Sequence, residues 1–181
     1  MKYLITIFLF AIILSSFSHR EKDDSLKKEQ PPYDIIAGTW KHLIDNEAFI
    51  VEIWKAADGY NGHYKKIILA PNGNQTSQIY NSNKPIGTTT INWPYGLTMG
   101  ELSQSFRLDG IVIDNTVTNT PNEGGFIDGY ISLKILNPNC FTPPTNNCPL
   151  QLQWSIRKSP GLVDPDEPDF NIPKNVILTK E

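Results

Sequence analysis

The eleven residues "FIDGYISLKIL", 126–136, alternate so regularly that only one kind of backbone can use them. Ile127, Ile131, Leu133 and Ile135 fall on one face with Gly129, and Asp128, Tyr130, Ser132 and Lys134 fall on the other. Strand side chains point to opposite faces with a period of two, so the pattern predicts a half-buried antiparallel strand. "LQLQWSIRK", 150–158, repeats it, setting Leu150, Leu152, Trp154 and Ile156 against Gln151, Gln153, Ser155 and Arg157.

Weaker alternation predicts strands over 35–43, 47–54, 60–69, 78–81, 102–108, 111–118 and 175–180. Asp45-Asn46, Asp58-Gly59, Asn72-Gly73 and Asp109-Gly110 each separate two such runs and supply the positive φ of a tight hairpin turn. "NEGGF", 122–126, reads as one more hairpin turn, lacking the lysine and following helix of a phosphate loop. Beyond residue 18 no stretch carries helical apolar spacing, and 14 prolines oppose long helices. No internal repeat is present. The expected fold class is all-β, and a meander of this length avoids bare edges most simply by closing. Local connections favour an antiparallel up-and-down β-barrel of roughly 8 to 10 strands over a sandwich.

The N-terminus is of another kind. Lys2, the run Leu4 to Leu14, apolar but for Thr6, and Ser16-Phe17-Ser18 have the layout of a signal peptide over residues 1–18. The apolar run is shorter than the roughly 20 residues that span a bilayer, so no permanent membrane anchor is expected. Residues 19–32, "HREKDDSLKKEQPP", are charged and nearly devoid of apolar side chains, which predicts a flexible leader ahead of one domain over 33–181. With 16 basic and 19 acidic residues and no arginine cluster, the chain offers nucleic acid no electrostatic footprint.

The two cysteines, Cys140 and Cys148, flank the loop "CFTPPTNNC" between the two clearest strands. Export would deliver them to an oxidising compartment, so a disulfide pinching a long hairpin is expected.

At the first strand stands "IAGTWKHL". Gly38-Thr39-Trp40 resembles the Gly-x-Trp signature of the lipocalin and fatty-acid-binding (calycin) barrels, whose glycine lets the chain turn in and whose tryptophan closes the base. The whole chain, with its signal peptide, charged leader, "GTWK" and final "IPKNVILTK", looks like a family of small exported bacterial proteins considered lipocalin-like. Many members carry a lipid-attachment cysteine at the end of the signal peptide; here Ser15 to Ser18 occupy that stretch, which argues against lipid anchoring. Such barrels also pack a basic residue on the tryptophan from a late strand. Arg157 and Lys180 are the available residues, alternation puts Arg157 on the polar face, and the role is assigned to neither.

Chemistry is sparse. His42 and His63 are too few for a zinc site, no HExxH or Gly-x-Ser-x-Gly occurs, and no metal or cofactor is expected. "DPDEPDF", 164–170, has carboxylates that calcium would accept but no EF-hand spacing, and reads as a solvated loop. Glu47 and Glu52 are candidates for an acid–base pair that no motif brings together; a catalytic reading would revive if two or more of His42, His63, Glu47 and Glu52 lined one pocket. "TINWPYGLTMG", 90–100, places Trp93 and Tyr95 around a proline, where they can cap a ligand or plug the barrel. The resulting expectation is an exported, monomeric, non-enzymatic barrel binding a small apolar ligand through Trp93 and Tyr95. The alternative is a protein–protein interaction module, such as an inhibitor of an exported protease.

Overall fold

The computed structural model describes residues 34–117, 125–141, 148–160 and 168–181. The expected signal peptide and leader lie outside them, as does most of the acidic loop. Nine strands follow one another: β1 (Gly38–Ile44), β2 (Glu47–Ala56), β3 (Gly59–Leu69), β4 (Gln75–Asn81), β5 (Leu97–Met99), β6 (Arg107–Asp114), β7 (Ile127–Ile135), β8 (Gln151–Lys158) and β9 (Asn175–Lys180). The one helical element among them is a 3₁₀ turn at Pro138–Phe141.

Every pairing is antiparallel, and β9 returns to β1 through Trp40↔Lys180 and Lys41↔Thr179. Eight strands therefore close a barrel, with β4 attached at its side. β4 pairs with Lys65–Leu69 of β3 and β5 pairs with Tyr60–Gly62 of the same strand. These two pieces form one interrupted barrel stave, and the chain between them makes an excursion.

Alternation sends the apolar residues inward. Trp40, Val51, Leu97, Leu108, Val112, Leu133, Leu152, Trp154 and Leu178 have no exposed surface, and Phe49 meets Trp154 edge-to-face at 5.3 Å. Removing such side chains from water contributes about 1.5–3 kcal/mol each. They fill the interior as in other small barrels. Outward positions hold Glu52, Lys65, Asp109, Ser132, Gln153 and Arg157. Apolar inside and polar outside is the reverse of a membrane-spanning barrel.

Two local expectations need correction. Asp109-Gly110 is no turn but the middle of β6, because β5 crosses so close that a Cβ on Gly110 would sit 2.1 Å from the Thr98 carbonyl oxygen. The glycine serves close backbone approach, not positive φ. Residues 102–106 are correspondingly not a strand, whereas the three-residue β5 is too short to show alternation. Asp45, with φ 53°, and Gly73, with φ 80°, do occupy turns as read.

Candidate binding hairpin

The excursion in the interrupted stave runs from Ser82 to Gly96. Its ends stay on β3: Ser82 N–H donates to the Tyr64 carbonyl and Gly96 N–H to the Gly62 carbonyl, both at 2.9 Å. Between them the chain doubles back. Ile86 N–H donates to the Ile91 carbonyl at 2.8 Å and Trp93 N–H to the Lys84 carbonyl at 3.0 Å, with Pro85 bridged to Asn92. Gly87 takes φ 56° at the tip, where Thr89 Oγ1 donates to the Ile86 carbonyl. The product is a braced hairpin whose Ile91 is 67% exposed, with Ile86 also outside.

Trp93 and Tyr95 both lie on its returning limb, half-buried. The rings of Trp93 and Phe126, the latter just before β7, meet in a T-shaped contact with centroids 5.5 Å apart.

One imidazole holds both ends of the hairpin. His63 Nδ1 lies 3.1 Å from Ser82 Oγ, and the ring also hydrogen-bonds the Pro94 carbonyl. Ser82 Oγ accepts from Tyr64 N–H at 2.9 Å, so its own proton is free for His63. Desolvation pushes the His63 pKa down, against an opposing pull from Glu52 and the Pro94 carbonyl. Trp54 packs on the ring at 5.5 Å. Below the hairpin, Asn115 Nδ2 donates to the Ser82 carbonyl at 2.7 Å. Wholly buried Asp114 accepts from Tyr64 Oη, Thr116 and the Asn171 amide. Burial, then the Asp114 charge, pushes the Tyr64 phenol well up.

Glu52 and His63 do line one small depression, of about 140 Å³, on the outer wall. Ser82 completes a Ser-His-Glu set by residue type, but it is fully buried in the wall, and both partners of His63 belong to the hairpin. Glu47 is at the barrel mouth in an ion pair with Lys66, and His42 Nδ1 is 2.9 Å from the Ile177 carbonyl. Among the described residues no three His, Cys, Asp or Glu side chains converge as metal ligands. In the acidic run, residues 164–167 lie outside the description, and Asp169 is paired with Lys174.

At the barrel base, the residue that sequence reasoning left unassigned is Lys180. Its Nζ lies 5.3 Å from the Trp40 ring centroid and donates to the Ile35 carbonyl at 3.0 Å. Trp40 Nε1 donates to the Ile36 carbonyl at 2.7 Å. Gly38 has φ 126°, and a Cβ there would meet Lys180 Cε at 3.2 Å. The signal for Lys180 was its register: it stands directly across from Trp40. Cys140 and Cys148 are disulfide-linked, with Cα atoms 5.3 Å apart.

Compared with family models, curated proteins and solved structures, the chain matches none.

Proposed function

We propose that this is an exported, monomeric, non-enzymatic protein-binding module on a calycin-type barrel, with the 82–96 hairpin as its contact element. The observation that carries the reading is the filled interior: Trp40, Trp154, Tyr64 and a shell of leucines and isoleucines are fully buried where an apolar ligand would sit. A solid barrel is a rigid mount. On it the chain presents Ile91 and Ile86 from a hairpin braced by its own ladder and clasped at both ends, at little ordering cost on binding. Trp93 supports this reading over ligand capping, since its ring already packs against Phe126. Lys180 across Trp40 favours the calycin resemblance, and the disulfide favours an oxidising compartment. Non-enzymatic action is favoured by the buried Ser82 and the committed His63.

The test places a photo-crosslinking amino acid at Ile91 and, as a control, at the exposed Leu136 of the far loop, in the cells that produce the protein. A discrete protein adduct at Ile91 alone is expected. A reproducible small-molecule adduct in native mass spectrometry, with no crosslink at Ile91, would return the barrel to apolar-ligand binding.

A further inference from the structure

On the outer wall, away from the hairpin, β6, β7 and β8 form a trough of about 610 Å³. Strand register explains its shape. Ile111, Tyr130 and Arg157 stand in one row across the three strands, and Asp109, Ser132 and Ser155 stand in the next outward row. The rows are two residues apart, about 7 Å along a strand. Short side chains therefore make a floor beside a tall wall.

The wall has one apolar stretch and one charge. Ile111 is 50% and Tyr130 42% exposed, and the Arg157 guanidinium carbon lies 5.4 Å from the Tyr130 ring centroid. No carboxylate lies within ion-pair distance of Arg157 among the described residues, whereas Arg107 is held by Asp109 Oδ1 at 2.8–2.9 Å. Ser155 Oγ spends its proton on Asn175 Oδ1 at 2.8 Å, leaving its oxygen to accept, and Asp109 keeps Oδ2.

We propose that this trough binds an acidic saccharide: the anionic group on Arg157, a pyranose C–H face along Ile111 and Tyr130, and ring hydroxyls on Ser132, Ser155 and Asp109. The volume is that of a small-molecule site, about 300–1,000 Å³. An acidic peptide is disfavoured by the backbone. β7 and β8 are paired on both edges, and β6 is capped toward β5 by Gly100 and Ser103 amides on the Asp109 and Arg107 carbonyls. The floor therefore has no free edge for strand addition, and recognition falls to hydroxyls, a guanidinium and an aromatic flank, which suit a polyol better than a peptide. The site is independent of the hairpin reading.

The test titrates the exported chain, by calorimetry and amide NMR, with uronate and sulfated tetrasaccharides, their neutral counterparts and a tetraglutamate peptide. Expected are binding of at least one acidic saccharide at least tenfold tighter than its neutral counterpart, shifts centred on Ser132 and Ser155, and weakening with added salt. Arg157→Gln and Tyr130→Ala should each weaken it at least tenfold. Ile111→Thr, which keeps a β-branched residue in the strand, should weaken it several-fold with unchanged thermal midpoint. Absence of binding across the panel, equal binding of neutral sugars, preference for tetraglutamate, or full affinity in folded Arg157→Gln would each overturn the proposal.

Discussion

Replacing His63 with alanine should loosen the hairpin without unfolding the barrel. The substitution removes the contact to Ser82 Oγ at 3.1 Å and the bond to the Pro94 carbonyl. Neutral hydrogen bonds are worth about 0.5–1.5 kcal/mol net each, so the two together should cost about 1–3 kcal/mol. That cost should fall on the local opening of residues 82–96, since the barrel ladders do not pass through the ring. At about 1.4 kcal/mol per tenfold, amide exchange at Ser82, Trp93 and Gly96 should accelerate roughly 5- to 150-fold, while Leu133 and Leu152 keep their rates. Acid should reproduce part of the effect. His63 has a folded-state pKa below its ordinary 6.5, so the unfolded or opened form binds the proton more readily. The clasp's contribution is therefore complete above about pH 6.5 and is lost as the pH falls from there through the depressed folded value. In His63→Gln that pH step should vanish. Unchanged exchange at Ser82 and Gly96 in His63→Ala, or equal acceleration at Leu133, would refute the clasp.

Trp40→Ala should cost about 3–5 kcal/mol in urea unfolding, the usual range for a fully buried tryptophan, and Lys180→Met considerably less because the stem still covers the ring. Cys140→Ser with Cys148→Ser should lower stability by roughly 2–3 kcal/mol, as chain entropy gives for so short a loop, and reductant should do the same to the unmodified protein in thermal melts. Gly110→Ala should cost at least about 1–3 kcal/mol and raise exchange at Met99 and Val112, since its methyl collides with the β5 backbone.

Much of this architecture was readable because alternation is strict wherever one face is buried. β9 falls where the pattern places it, and β7 and β8 within a residue of it at their ends. The interrupted stave was not readable. β5 has three residues, too few for a period, and its existence depends on Gly62 and Gly110 lying on the neighbours it must approach. Asp109-Gly110 misled for the same reason: a glycine needed for its missing side chain is indistinguishable, in one sequence, from a glycine needed for its φ. Trp93 stood out as an aromatic in a polar loop, whereas Ile86 and Ile91, isolated apolar residues outside every expected strand, carry no period that says which way they project. His63 and Ser82, nineteen residues apart, meet only through the β3–β4 register.

Asp114 shows why the polar residues beneath the hairpin are structural commitments. Its carboxylate is fully buried, and Tyr64 Oη at 3.2 Å, Thr116 N–H at 3.0 Å, Thr116 Oγ1 at 2.6 Å and Asn171 N–H at 2.7 Å converge on it. These donors come from β3, the chain after β6 and the approach to β9, so one anion ties three parts of the barrel rim. Removing a donor and altering the acceptor should then differ. Tyr64→Phe removes a hydroxyl that Asp114, at 3.2 Å, shares with the Ile113 carbonyl, at 2.8 Å, and should cost about 1–3 kcal/mol, because Thr116 and Asn171 still satisfy the charge. Asp114→Asn removes the charge and turns an amide N–H₂ toward one set of donors, whichever way it flips, and should cost more, roughly 2–4 kcal/mol. Because Asn115 holds the Ser82 carbonyl from the adjacent position, Asp114→Asn should also speed exchange at Ser82, which Tyr64→Phe should do less. Urea midpoints give the first ordering and hydrogen exchange the second. A neutral or stabilising Asp114→Asn would mean that the four donors do not need an anion, and the rim would have to be held by packing alone.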